Sequence, residues 1–186
     1  KKIKIQRFFW NHGIGKPFSD LLDHEHINRK GSELAQIIES FNGQERVQLV
    51  AKSGGSLVAV KALELLPANT VSRTILLSPA ISPQYDLSAA LQAVENQLIC
   101  FYSKYDRIIL GVGTTIFGTS DGIHTSSAGC TGFLVRPNPC KYPDQYSKLE
   151  QESWQPGMLK QLHNGMHFGN SATPWLLKNV LPRLAC

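Results

Sequence analysis

Three residues whose side chains can act together as a nucleophilic centre occur in the order serine, aspartate, histidine. Ser53 and Asp106 each follow an apolar run, and His167 lies between two glycines. A serine hydroxyl becomes a strong nucleophile when a histidine takes its proton and a carboxylate orients the imidazole. The residue types and their order therefore predict a nucleophilic site, provided that the fold brings the three side chains together.

The strongest signal surrounds Ser53, which separates the strand-like run 47–50 from the helix-like run that begins at Leu57. A sharp strand-to-helix turn exposes a serine hydroxyl only if the positions two before and two after it are small, as Ala51 and Gly55 are. The N–H of Gly54 would then point towards negative charge on a substrate oxygen. The alternative is an ordinary turn serine between a strand and a helix.

The candidate acid is Asp106, which lies just past the apolar run 98–102. In an open parallel sheet, functional groups collect outside the carboxyl ends of the strands, where this position falls. A simple turn aspartate is the alternative, since aspartate is common after strands. Asp86, after the preceding strand, is a rival for the same role.

The candidate base is His167, in the segment 162–170. Gly165 and Gly169 flank it and would allow the loop to approach the serine closely. His163 is the rival and is interpreted as the end of the preceding segment. Most loop histidines are solvated side chains without a catalytic role, so the choice of His167 depends on the other two residues.

These segments resemble the α/β-hydrolase superfamily, in particular the small esterases and lipases that lack a large cap domain. The resemblance covers most of the chain and rests on residues 51–55, 74–80, 102–106 and 165–169. Residues 9–13 and 113–119 also resemble uncharacterised bacterial members. The resemblance implies a single domain over residues 1–186, built on a mainly parallel open sheet with helices on both faces, in which N-terminal strands are missing if the chain is a fragment.

The resemblance also implies a serine esterase or lipase-like hydrolase that forms an acyl-enzyme on Ser53, with His167 as base and Asp106 as the orienting acid. It implies an oxyanion hole from the N–H of Gly54 and, more weakly, of Ile14. Lys52 stands where many relatives carry histidine and would place a cation near the substrate. Thioesterase, amidase or peptidase activity could use the same three residues, and the alternative from another class is a non-catalytic binding or scaffolding protein of the same fold.

Apolar periodicity predicts an alternation of strands and helices. We expect a strand over residues 5–10, a helix after Ser32 that ends near Asn42, a helix over 57–66 and a closing helix from Trp175. The segment from about 111 to 143, rich in glycine, threonine, serine and proline, interrupts this alternation. We interpret it as a wall or flap over the site, or alternatively as a structural insertion. Its apolar candidates for substrate contact are Ile116, Phe117 and Phe133.

Composition narrows the ligand classes. The 186 residues are 42% hydrophobic and 18% charged, which suits one folded domain. The net charge of +5 comes from scattered lysines and arginines, so nucleic-acid binding is not expected. No apolar run approaches the ~20 residues of a membrane span. The expected partner is a small-molecule or lipid-like ester, with no cofactor.

Two rival sites are rejected from the sequence. Residues 20–26 contain aspartates, a glutamate and histidines, but His24 and His26 would not share a helix face, so we expect no metal site. Residues 13–17 lack the features of a phosphate-binding loop.

Cys130 and Cys140 could form a disulfide in an exported protein. A cytoplasmic location is slightly favoured, although a truncated start would hide a signal peptide.

Overall fold

The chain alternates strands with helices in the order that the apolar periodicity predicts. The computed structural model describes residues 4–10, 23–41, 46–106, 119–135 and 139–184. The strands are β1 (Gln48–Lys52), β2 (Val71–Leu77), β3 (Val94–Tyr102) and β4 (Leu149–Ser153). The α-helices are α1 (His24–Ser40), α2 (Gly55–Leu65), α3 (Ser88–Ala93), α4 (Ala128–Thr131), α5 (Thr173–Asn179) and α6 (Leu181–Leu184). Short 3₁₀ helices span Pro143–Lys148, Pro156–Gln161 and Gly169–Ser171.

The four strands form one sheet in the order β1-β2-β3-β4, and every neighbouring pair is parallel. The centre of the sheet is held in register by the pairing of Val50 with Ile75 and of Ile75 with Ile99. A parallel sheet joined by helical crossovers belongs to the α/β class. The predicted α/β class with a mainly parallel sheet is confirmed to this extent.

Helices cover both faces of the sheet, because alternate side chains of β2 and β3 enter two different cores. Leu76, Leu98 and Cys100 join the larger core, which contains α1, α2 and α3 residues. Ile75, Ile99 and Phe101, among others, pack against Trp175 and Val180 on the opposite face. Both β2 and β3 are therefore buried on two sides, which explains their nearly continuous apolar sequences.

Helix α1 begins earlier than the sequence predicts. Its N-cap is Asp23, whose carboxylate accepts a 2.9 Å hydrogen bond from the N–H of His26. Ser32 lies inside the helix, where its hydroxyl donates to the carbonyl of Asn28. The predicted start after Ser32 is wrong because Asp23 caps the first turn nine residues earlier in the chain. Among the described helices, none has the length and apolarity of a membrane span.

The structure also differs from the sequence analysis in two of its strands: one expected strand is absent from the described residues, and one observed strand was not expected. Residues 4–10 form no strand, and Ile5 and Phe9 project into solvent. Strand β4 was not predicted, because its sequence Leu-Glu-Gln-Glu-Ser lacks the apolar character of β2 and β3. It lies at an edge of the sheet, half-buried along its length, and an edge strand tolerates polar residues.

The described part of the 111–143 segment is fastened to the loops at the carboxyl ends of the strands. The N–H of Ser120 donates 2.7 Å to Ala80, and that of Ala128 donates 2.7 Å to Ile81. The N–H of Gly129 donates to Pro79, and its carbonyl accepts from Ser103. These bonds attach the described part of this segment to the loops that follow β2 and β3.

Candidate active site

Ser53 occupies a strained turn between β1 and α2. Its φ is 54°, in the left-handed region that a side chain other than glycine rarely adopts. Two backbone hydrogen bonds hold it there: the Ser53 N–H donates 3.0 Å to Leu77, and the Ser53 carbonyl accepts 3.2 Å from Ala80. Strain of this kind persists only where the surroundings enforce it, and it is found most often at functional sites.

Gly55, two residues after Ser53, is small for a steric reason. A Cβ on Gly55 would lie 2.9 Å from the indole nitrogen of Trp10, which is closer than real Cβ contacts. Gly54 is the N-cap of α2, so its N–H is at the positive end of the helix. No acceptor for that N–H occurs among the described residues. It is available to a negatively charged oxygen beside Ser53.

Asp106 and His167 form a buried pair. Nδ1 of His167 lies 2.8 Å from Oδ2 of Asp106, and the two side chains are 8% and 2% exposed. The turn 103–106 carries Asp106 from the end of β3, with its N–H donating 3.0 Å to Ser103. A carboxylate on Nδ1 fixes the tautomer so that Nε2 is left for proton transfer.

Glycines shape the loop around His167. Gly165 has a φ of 81°, and a Cβ there would press on the indole of Trp154. A Cβ on Gly169 would collide with the imidazole of His163. Only glycine fits these two positions, as the sequence suggested for a loop that carries an imidazole inwards.

His163 is buried in a different environment. Its ring packs edge-on against Trp175 at 5.0 Å, and its Nδ1 accepts a 3.1 Å hydrogen bond from the N–H of Gly165. Burial, reinforced by the positive charge of Lys52, lowers the pKa of His163 to about 4, while the carboxylate of Asp106 acts in the opposite direction. A neutral imidazole with aromatic packing is a structural element of the loop.

Lys52 connects the turn at Ser53 to the loop that carries His167. Its ammonium donates 2.5 Å to Oγ of Ser171 and lies 5.2 Å from the ring centroid of Phe168. Burial lowers the pKa of Lys52, and the charge of Asp106 offsets part of that effect. Lys52, which precedes Ser53, is therefore in contact with Phe168, which follows His167. Among the described residues, His167 is hydrogen-bonded to Asp106, and no hydrogen bond joins it to Ser53.

Asp86 serves another purpose. Its carboxylate accepts hydrogen bonds from the N–H groups of Ser88 and Lys141, each at 2.9 Å, and from the hydroxyl of Tyr146. Although burial acts to raise it, these hydrogen bonds hold the pKa of Asp86 below its ordinary value. A carboxylate with this many partners at the start of α3 stabilises the loop, and Asp106 is the acid that contacts a histidine.

Comparison with known proteins was negative. No protein-family model, curated protein or solved structure matches the chain.

The remaining predicted contact residues do not form a described substrate wall. Ile14, Ile116 and Phe117 lie outside the described residues. Phe133 is 5% exposed and belongs to the larger core, so it does not face an open site. Cys130 and Cys140 are not joined to each other by a disulfide.

A metal centre finds no support in the described part of the chain. No cluster of three or more metal-ligating side chains occurs there. The His26 ring is engaged at both nitrogens, by the carbonyl of Trp10 and by the guanidinium of Arg29.

Two site-supporting residues were missed in the sequence. Asn170 donates a 2.8 Å hydrogen bond to the hydroxyl of Ser78, whose φ of 45° is also in the left-handed region. The pair borders a small cavity, with room for about one water molecule, that His163 and Trp175 also line. A small polar residue directly after the apolar run 74–77 was the available signal for Ser78. Nothing in the sequence marks Asn170.

Proposed function

We propose that this protein is a serine hydrolase of the α/β-hydrolase type that cleaves carboxylic esters through an acyl-enzyme on Ser53. The observation that carries the proposal is the buried hydrogen bond between His167 and Asp106. A carboxylate on Nδ1 orients a histidine so that its Nε2 can take the proton of a serine hydroxyl. The strained φ of Ser53 supports Ser53 as the nucleophile.

In the proposed reaction, His167 takes the hydroxyl proton as Ser53 attacks the acyl carbon. The tetrahedral oxygen accepts a hydrogen bond from the N–H of Gly54, at the N-terminus of α2. His167 then protonates the leaving alcohol, and Asp106 stabilises the imidazolium between these steps. A water molecule, deprotonated by His167, then attacks the acyl-enzyme. This step releases the carboxylic acid product, and His167 returns the proton to Ser53.

A fluorophosphonate probe tests the proposal, because it reacts with activated serines independently of acyl specificity. We expect rapid labelling of the wild-type protein, with the modified residue mapped to Ser53 by peptide mass spectrometry. Ser82, whose hydroxyl is bonded to Asp121, provides an internal comparison that should not react. An inert Ser53 in folded protein would favour the non-catalytic alternative, a binding protein with the same fold.

A further inference from the structure

The loop that carries His167 has an inverted pattern of burial. Along residues 162–168, His163, Gly165 and His167 point inwards, while Leu162, Met166 and Phe168 point outwards. Leu162 and Phe168 are 70% and 72% exposed. Leu162 also has a φ of 63°, which costs a bulky residue free energy. The loop therefore exposes its apolar side chains beside the candidate site.

Two more apolar side chains extend this surface. Leu159 and Tyr105 are each about half exposed. The ring of Tyr105 packs edge-on against Trp154 at 5.1 Å, and the indole N–H of Trp154 donates to the carbonyl of His163. Tyr105 is thus held against the base of the loop. We call the five residues Tyr105, Leu159, Leu162, Met166 and Phe168 the apolar rim.

Lysines are interleaved with the apolar rim. Lys52 lies beside the Phe168 ring, Lys104 lies 5.3 Å from the Tyr105 ring centroid, and Lys160 is exposed between Leu159 and Leu162. The chain as a whole carries a net charge of +5. Lysine is depleted at protein–protein interfaces, whereas lysines next to exposed leucine and aromatic side chains are typical of segments that bind anionic lipid surfaces.

We propose that the apolar rim docks on an anionic lipid surface, with its apolar side chains among the acyl chains and the three lysines at the phosphate level. Docking needs no turnover and so goes beyond the proposed function. The consequence that lipid-borne esters reach Ser53 from the membrane does depend on the proposed function. The charge complementarity between the lysines and lipid phosphates is the reason for this occupant.

Co-sedimentation with vesicles tests the docking. We expect the wild-type protein to bind vesicles that contain phosphatidylglycerol more tightly than pure phosphatidylcholine vesicles, and added salt to weaken that binding. The double variant Leu159→Gln/Leu162→Asn should bind about tenfold more weakly, because apolar contact with the bilayer is lost. Asparagine accepts the backbone conformation at 162, so the fold should be retained. Lys104→Glu and Lys160→Glu should each weaken binding at least about fivefold.

The matched control is Leu65→Gln, which removes an equally exposed leucine from the far end of α2, at the opposite edge of the sheet. It should bind as the wild type does, and so should Ser53→Ala. Wild-type protein that ignores anionic vesicles, or rim variants that bind them normally, would overturn the docking. The docking would also be overturned if sedimentation equilibrium showed that the wild-type protein self-associates and that the double variant is a monomer. Unreactive Ser53 with normal vesicle binding would instead overturn only the proposed function.

Discussion

Asn170 donates a buried hydrogen bond to Ser78, and this bond joins the loop that carries His167 to the carboxyl end of β2. The residues on both sides of Ser78 are bonded to the turn of the candidate nucleophile, since Leu77 accepts from Ser53 and Ala80 donates to it. One short segment therefore holds Ser53 through its backbone and the His167 loop through a side chain. The relative position of the two catalytic candidates depends on this connection.

Asn170→Ala should lower kcat for a soluble ester between about 10- and 100-fold with little change in KM, because misplacement of the base affects the reaction more than binding. Stopped assays with p-nitrophenyl acetate would measure it. Asn179→Ala, which removes an amide that bonds within and near α5, is the control for general loss of stability. Ser78→Ala should add little to Asn170→Ala if both act through one bond. Independent, additive losses would contradict the connection.

Ser53→Ala and His167→Ala should each reduce ester hydrolysis by at least about 10³-fold while leaving the circular dichroism spectrum unchanged, because the serine and the base act as a unit. The matched control is His163→Asn. It keeps an acceptor for the Gly165 N–H and should retain most activity in the fraction that folds. Normal activity of Ser53→Ala would refute the assignment of the nucleophile, and loss of activity in His163→Asn alone would move the base to residue 163.

Asp106→Asn should lower kcat strongly, by about 10⁴-fold at neutral pH, because the amide would hold the imidazole in the wrong tautomer. Asp86→Asn should leave kcat nearly unchanged and reduce stability, since Asp86 accepts bonds from Ser88, Lys141 and Tyr146. Parallel kinetics and urea titrations of the two variants would separate these effects. If the Asp86 change alone abolished turnover, the acid would have been misassigned.

The sequence was most informative where local chemistry and burial agree. The strands β2 and β3 are buried on both faces, so their apolar runs are long and easily recognised. The turn at Ser53 was predicted because the small residues Ala51 and Gly55 stand two positions before and two positions after it in the sequence. Asp106 was predicted from the end of the apolar run before it, and His167 from the glycines on both sides of it. Each of these features is written in neighbouring residues.

The features that were missed depend on contacts between distant parts of the chain. Strand β4 is stabilised by pairing with β3, and its own residues have little strand preference. The bond from Asn170 to Ser78 joins residues 92 positions apart. The start of α1 was placed too late because the apolar residues that indicated the helix all follow Ser32, whereas the helix begins at His24 and passes through Gly31. A Cβ there would be 2.7 Å from the Cβ of Lys61, so the close approach of α1 to α2 requires glycine.

The buried His163 should make stability depend on pH between about 4 and 6.5. Its pKa falls from 6.5 to about 4 on folding, so in this range the unfolded chain binds a proton that the folded protein does not. The contribution to the free energy of unfolding is complete above pH 6.5, declines as the pH falls and is lost below pH 4. Because a shift of one pKa unit corresponds to about 1.36 kcal/mol, the free energy of unfolding should fall by about 3 kcal/mol over this range.

Urea unfolding at pH 7, 6, 5 and 4.5 would measure this dependence, with His163→Asn as the comparison. The variant has no titrating group at 163, so its free energy of unfolding should be lower at pH 7, because the contact with Trp175 is lost, but should decline less between pH 6.5 and 4.5. The difference between the two proteins should therefore shrink as the pH falls. A difference that stays constant across the range would show that His163 is not held neutral by the fold.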